Sequence, residues 1–379
     1  MADWQERLAP FVYAIEQRLD ALKYGWRYAR GGPDPLRIAT YLGYGNAERL
    51  YLMGRVLEDR NIEPPGEQDS TWKNLQDMWK RFASREVPGA RLLARFRDVE
   101  QEIVADEEGM FEVNLELASP LEEHGRWLPV ELELLAPEYR GQEGPLRSEG
   151  HVLVPPRTAK FGLISDIDDT VVQTHATDLL KAARMVLLGS ARTRLPFPGV
   201  ASLYRALYAG LPDELGNPLF YVSNGPWNLY DVLVEFLKLQ EIPPGPLFLR
   251  NWGVYEDEIL PTDQRGHKLE LIRPILDTYP DLPFILFGDS GEADAEIYHQ
   301  VVHDYPDRIL AVYIRNILPD SDPSLLNALA EEVVAAGSTM ILAKDSLIMA
   351  EHALQQGWIA EENVAAIQAE VAGLEPALG

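Results

Sequence analysis

The chain has 379 residues, long enough for two domains, and 46% hydrophobic with 25% charged residues is the balance of an ordinary soluble globular protein. Its 60 acidic against 34 basic residues leave a formal net charge of -26. That argues against a nucleic-acid partner, because a phosphate backbone needs a basic footprint, and it weakens attraction to an anionic membrane. No cysteine is present, which excludes disulfides, thiolate zinc sites and a thiol nucleophile. The opening MADWQERLAPFVYAIEQRL lacks the basic start and apolar run of a signal peptide, and no stretch of about 18 apolar residues occurs anywhere. The expectation is a cytoplasmic protein without a transmembrane segment, at most peripheral to a membrane. Its oligomeric state is not legible.

Leu8, Phe11, Val12, Ile15, Leu19 and Leu22 recur at spacings of three and four, predicting an amphipathic packing helix within residues 1–30. From residue 36 the texture becomes strand-like. RIATYLGYG and ERLYLMGRVLED read as paired strands around a turn at Gly45 and Asn46. A short helical pattern, TWKNLQDMWKRFAS, follows, and strands return in ARLLARF, EQEIVAD, MFEVNLEL and LPVELELL. Acidic turn residues and Gly109 between two alternating runs predict a small β-sandwich-like domain over 31–157. Its tryptophans read as core residues, and nothing in it looks chemical.

From 158 to 379 the rhythm is strand then helix. KFGLISD, PLFYVSN, PLFLRNW, PFILFGD, RILAVYI and TMILA are apolar runs separated by helical patterns, which predicts an α/β domain with a Rossmann-like parallel sheet covered on both faces. In such folds a ligand sits beyond the carboxyl ends of the strands. Four clusters fall there: Asp166-Ile167-Asp168-Asp169-Thr170 after the first strand, and Ser223-Asn224-Gly225 after the second. Pro226 is expected at the first position of the next helix. Lys268 lies near the start of a further helix, and Gly288-Asp289-Ser290-Gly291-Glu292-Ala293-Asp294 follows the fourth strand. Singly, an acidic triplet reads as a solvated turn and Ser-Asn-Gly as a helix cap. Their order, carboxylates, hydroxyl, lysine, carboxylates, is harder to explain as surface decoration.

That order, DxDxT, Ser, Lys and GDxxxxD, resembles the haloacid dehalogenase superfamily of phosphotransferases over roughly 158–317. The words DIDDT, YVSNGPWNLY, HKLELI and GDSGEADAEIY are similar to the catalytic domain of the actin-patch-associated phosphatidate phosphatases, relatives of lipin. The resemblance implies a haloacid dehalogenase core and Mg²⁺-dependent hydrolysis of phosphomonoesters. By it Asp166 is the nucleophile and a metal ligand, forming an aspartyl-phosphate. Asp168 protonates the leaving alcohol, then activates water, and its backbone carbonyl also meets the metal. Thr170 holds the loop. Ser223, with the amides of Asn224, Gly225 and the following helix start, receives the phosphoryl oxygens. Lys268 neutralises charge, Asp289 is the second metal ligand, and Asp294 orients the metal's waters or the lysine. The chemistry needs such groups, since a phosphate dianion repels an attacking carboxylate until cations offset the charge. Asp169, Glu292 and His267 receive no role.

Between Thr170 and Pro198 lie 27 residues, too few for a full cap domain, so an open site is expected whose substrate keeps its bulk outside. Within that gap, residues 179–195 carry Lys181, Arg184, Arg192 and Arg194 beside an apolar stripe of Leu179, Leu180, Ala183, Val186 and Leu187. This reads equally as a flap packed on the core and as a basic amphipathic helix that docks on phospholipid. The substrate expectation is a phosphatidate-like lipid at a membrane surface. Soluble or protein phosphomonoesters, a phosphotransferase, and a non-catalytic phospholipid-binding module are the alternatives.

Overall fold

The computed structural model describes residues 35–58, 86–122, 127–137, 144–168, 170–171, 197–211, 216–250, 264–291, 293–316 and 323–373. The expected N-terminal helix, the helical pattern at 71–84, the basic segment 179–195, Asp169 and Glu292 lie outside the described residues. Two compact units emerge. The first groups residues up to Val152 apart from 44–47 and 121–128, which group with the second, and the second runs on from Leu153.

The first unit is built on an eight-stranded sheet: β1 (Leu36–Thr40), β2 (Gly43–Gly45), β3 (Arg49–Glu58), β4 (Arg91–Phe96), β5 (Val99–Val104), β6 (Met110–Glu116), β7 (Trp127–Ala136) and β8 (Arg147–Leu153). Their order is β1-β3-β2-β8-β7-β4-β5, with β6 paired to β3. The β1–β3, β3–β6, β4–β5 and β4–β7 ladders are antiparallel. Alternation sets the faces. Leu50 and Leu52, Leu92 and Ala94, Val113 and Leu115, and Val130 and Leu132 are buried, while the residues between them are mostly partly or fully exposed. Gly109 makes the turn into β6 at φ 70, a left-handed conformation that side chains resist.

The second unit is α/β. Its parallel sheet comprises β9 (Gly162–Asp166), β10 (Leu219–Pro226), β11 (Leu247–Arg250), β12 (Phe284–Asp289), β13 (Ile309–Arg315) and β14 (Met340–Ala343), in the order β11-β10-β9-β12-β13-β14. The described helices are α1 (Val200–Ala209), α2 (Tyr230–Leu239), α3 (Gln264–Thr278), α4 (Asp294–Asp304), α5 (Pro323–Ala335), α6 (Ser346–Gln355) and α7 (Glu361–Gly373). Every residue of β9 and β12 is buried, as strands covered on both faces must be. Asp345 caps α6, accepting from the amides of Leu347 and Ile348 at 3.1 and 3.2 Å.

One expectation needs correction. The helix after Ser223-Asn224-Gly225 does not start at Pro226. Instead β10 continues to Pro226, which is in register with Arg250 of β11, a 3-10 turn occupies Trp227–Leu229, and α2 begins at Tyr230. The apolar positions Leu229, Val232, Leu233, Phe236 and Leu237 are buried as expected. Only the start is displaced, because Pro also suits the end of a strand whose amide is not needed for pairing.

Candidate active site

The strand order reverses between β9 and β12: the chain leaves β9 for β10 and β11 on one side, then returns to β12 on the other. Such a switch point leaves a crevice at the carboxyl ends of the two central strands. Asp166 ends β9 and Asp289 ends β12. Phe287 pairs with Ser165 and Val222 with Asp166, which brings the next residue of β10, Ser223, level with the same crevice.

Lys268, on the second turn of α3, is fully buried and reaches Asp166 Oδ1 at 3.0 Å. Its ammonium also pairs with Asp294 Oδ1 at the first residue of α4. Asp294 Oδ2 accepts from the amide of Asp289 at 3.2 Å. Asp166, Asp289 and Asp294 are all fully buried, with carboxylate oxygens within 4.8 Å of one another. Gly288 permits this convergence: a Cβ there would sit 2.4 Å from Asp294 Oδ2 and 2.7 Å from its Cβ. The glycine of the GDxxxxD pattern is thus a steric requirement of the second carboxylate.

The described residues of the loop leaving β9 are tied down. Ser165 Oγ donates to the Asp166 carbonyl at 2.5 Å and meets the Tyr204 hydroxyl of α1 at 2.8 Å. Thr170 Oγ1 lies 3.5 Å from Asp166 Oδ2, and the amide of Val171 donates to the Ile167 carbonyl at 3.0 Å. Partly exposed Asp168 accepts from Ser223 Oγ at 3.2 Å. Ser223 is itself buried and receives the Gly225 amide at 3.0 Å, so that amide orients the serine. Asn224 is partly buried beside it. The sequence-derived residues Asp166, Lys268, Asp289 and Asp294 therefore form one centre, with Thr170 on Asp166 and the Ser223–Asp168 pair at its side.

Arg315 escaped the sequence reading. It ends β13 in register with Asp289 and is 2% exposed. Its guanidinium lies 4.1 Å over the Phe197 ring and donates to Ser346 Oγ at 3.1 Å. Burial lowers its pKa to about 10, against the attraction of Tyr204, Asp345 and Asp289 that favours the cation. Its carbonyl accepts from the Ser290 amide at 2.9 Å, fixing the loop beyond Asp289. The only sequence signal was a charge closing an apolar strand. His267 is half-buried, and burial and the charge of Arg250 lower its pKa.

A parallel sheet whose order reverses at its centre, with three buried carboxylates and a buried lysine at the switch point, defines an α/β unit with a charged centre at its strand ends. Residues 161–316 match the family model described as "Phosphatidate phosphatase APP1, catalytic domain", the narrower of the two resemblances read from the motifs. Two curated relatives are similar to part of the chain. Phosphatidate phosphatase APP1 of Saccharomyces cerevisiae is 34% identical over 174 residues, 44% of this chain and 29% of that protein. An uncharacterised Schizosaccharomyces pombe protein is 31% identical over 163 residues, 42% and 26% of the two chains. This chain thus aligns with under a third of either relative's length. A carbohydrate acetylesterase from Xanthomonas citri shares 12% identity over 82% of this chain and 68% of its own, at a TM-score of 0.29, too loose to bear on fold or chemistry.

Proposed function

We propose that the α/β unit is a Mg²⁺-dependent phosphomonoester hydrolase of the haloacid dehalogenase type, acting through an aspartyl-phosphate on phosphatidate-like lipids. The observation that carries this reading is Asp166 at the end of the central strand, 3.0 Å from a buried lysine and within reach of two further buried carboxylates. The match of residues 161–316 to a phosphatidate phosphatase catalytic domain supports the substrate class.

The donor set fits a hard divalent cation. It is all oxygen, and the three clustered buried carboxylates share one buried lysine, Lys268, which pairs with Asp166 and Asp294. Asp166 and Asp289 would hold Mg²⁺, with the Asp168 carbonyl contributing and Asp294 close by. When bound, the ion supplies charge neutralisation of the phosphate dianion.

In the first step an Asp166 carboxylate oxygen bonds to phosphorus as the bond from phosphorus to the substrate's alcohol oxygen breaks. Asp168 delivers a proton to that oxygen, and its hydrogen bond from Ser223 Oγ keeps the carboxyl turned toward the site. Lys268 offsets the charge accumulating between Asp166 and the phosphoryl group. In the second step Asp168 takes a proton from water, the water oxygen bonds to phosphorus, and phosphate leaves as Asp166 is restored. A peripheral encounter with lipid suits a substrate whose phosphate enters while its acyl chains stay outside. No helix among the described residues is long and apolar enough to cross a membrane.

We further infer a sandwich for the β-rich unit. Alternate residues of its strands are buried, no helix is among its described residues, and the Asn114 amide of β6 donates to Gln101 Oε1 of β5 at 2.9 Å, across strands that are not ladder partners.

The enzyme reading is tested by assaying wild type and Asp166→Asn with Mg²⁺ against phosphatidate, lysophosphatidate, p-nitrophenyl phosphate and a phosphopeptide. Turnover of the lipids, abolished in Asp166→Asn, is expected. No Mg²⁺-dependent turnover of any substrate would leave a phospholipid-binding module, and turnover of the soluble esters alone would remove the lipid assignment.

A further inference from the structure

The sequence HQVVH, residues 299–303, places two histidines four apart on α4, hence on one face of the helix. Their Nε2 atoms lie 3.2 Å apart, with ring centroids at 4.5 Å. Glu332 of α5 brings Oε2 to 2.7 Å from His299 Nε2. The three donor atoms all fall within 4.8 Å of one another.

We propose that His299, His303 and Glu332 form a surface site for a divalent transition-metal cation of the zinc class, independent of the proposed active site. Two imidazole nitrogens and a carboxylate converge on one spot. A proton on His299 Nε2 serves Glu332, and His303 then turns an Nε2 lone pair toward it. A metal uses the same convergence, each nitrogen presenting its lone pair and the carboxylate its charge. Geometry agrees: with metal–nitrogen bonds of about 2.0–2.1 Å, two ligands of a tetrahedral centre lie roughly 3.3–3.4 Å apart, close to the 3.2 Å found. Glu332 must withdraw by about 0.6 Å from His299 to take the third vertex, and its side chain is 62% exposed and able to do so. Solvent or a small anion completes the four.

The donor set sorts the metals. Two imidazoles and one carboxylate suit zinc, nickel or copper, whereas Mg²⁺ demands oxygen and an octahedron. Mg²⁺ would therefore leave the histidine site to zinc, while excess Mg²⁺ holds zinc off the carboxylates. His299 and His303 lie five and nine residues beyond Asp294 on the same helix, or roughly 8 and 14 Å along its axis at the usual rise. A bound ion would staple α5 to the helix that presents Asp294.

The test is titration calorimetry of Zn²⁺ alone into the full chain held in excess Mg²⁺, repeated with His303→Ala and Glu332→Gln. The side chain of His303 is exposed, so His303→Ala should keep the fold, as far-ultraviolet circular dichroism verifies. Wild type should bind one equivalent more than His303→Ala, and Glu332→Gln should weaken that event at least tenfold. Co²⁺ should give the intense visible absorption of a four-coordinate ion in wild type and not in His303→Ala. Identical zinc isotherms for wild type and His303→Ala, or a cobalt spectrum unchanged by the substitution, would overturn the proposal. Neither result depends on phosphatase activity.

Discussion

Replacing Lys268 with methionine tests the electrostatics of the site without reference to any substrate. The side chain is fully buried between Asp166, 3.0 Å away, and Asp294, so methionine fills its volume but leaves two buried carboxylates facing each other. Removing one partner of a buried ion pair costs about 3–5 kcal/mol. For a unit of this size each kcal/mol lowers Tm by roughly 2–4 °C, so the α/β unit should melt about 6–20 °C lower by differential scanning calorimetry without added metal. Most of the loss is the isolated charge rather than the missing contact. Asp294→Asn, itself destabilising, should therefore partly rescue Lys268→Met, and the double-mutant cycle should show a coupling of about 1–3 kcal/mol. Mg²⁺ should also raise the Tm of Lys268→Met more than that of wild type, since the ion supplies some of the missing positive charge. Additive effects within about 0.5 kcal/mol would refute the reasoning that Lys268 is held by these carboxylates.

Three further outcomes follow from the same geometry. Gly288→Ala puts a Cβ 2.4 Å from Asp294 Oδ2, so Asp294 must move off the Asp289 amide, and turnover should fall about 100-fold with a raised Mg²⁺ requirement in a metal titration of activity. Arg315→Lys keeps the charge beside Asp289 but loses the stack on Phe197 and the bond to Ser346, and should cost about 1–3 kcal/mol in urea denaturation; an unchanged midpoint would count against a structural use of the guanidinium. Burial lowers the pKa of His352, so the unfolded chain binds its proton more readily. Its contribution is present above the unfolded value of about 6.5 and is lost as pH falls toward the folded one. His352→Gln should accordingly flatten the decline of Tm between pH 7.5 and 5.5.

The parts of the fold legible in the sequence were those governed by local pattern. FGLISD and PFILFGD are largely apolar because β9 and β12 are covered on both faces, and the strand order sets their terminal aspartates at the switch point. The alternating runs around Gly109 likewise announced β5 and β6. Boundaries set by tertiary pairing were not legible. Pro226 carries the same local signal at a helix start and at a strand end, and its register with Arg250, 24 residues on, decides between them. Arg315 was invisible for a related reason: its burial is made by Phe197 and Ser346, 118 and 31 residues away, and no window of sequence contains all three. The role of Ser223 was sharpened in the same way, since its hydrogen bond to Asp168 joins β10 to the loop after β9, 55 residues apart in sequence.

The most direct test of the account is to quench the enzyme during turnover with Mg²⁺ and phosphatidate, reduce any acyl phosphate with borohydride, and locate the product by peptide mass spectrometry. The account predicts homoserine at position 166 in wild type and none in Asp166→Asn. Lipid turnover with Asp166 unmodified, or the mark on another carboxylate, would contradict it.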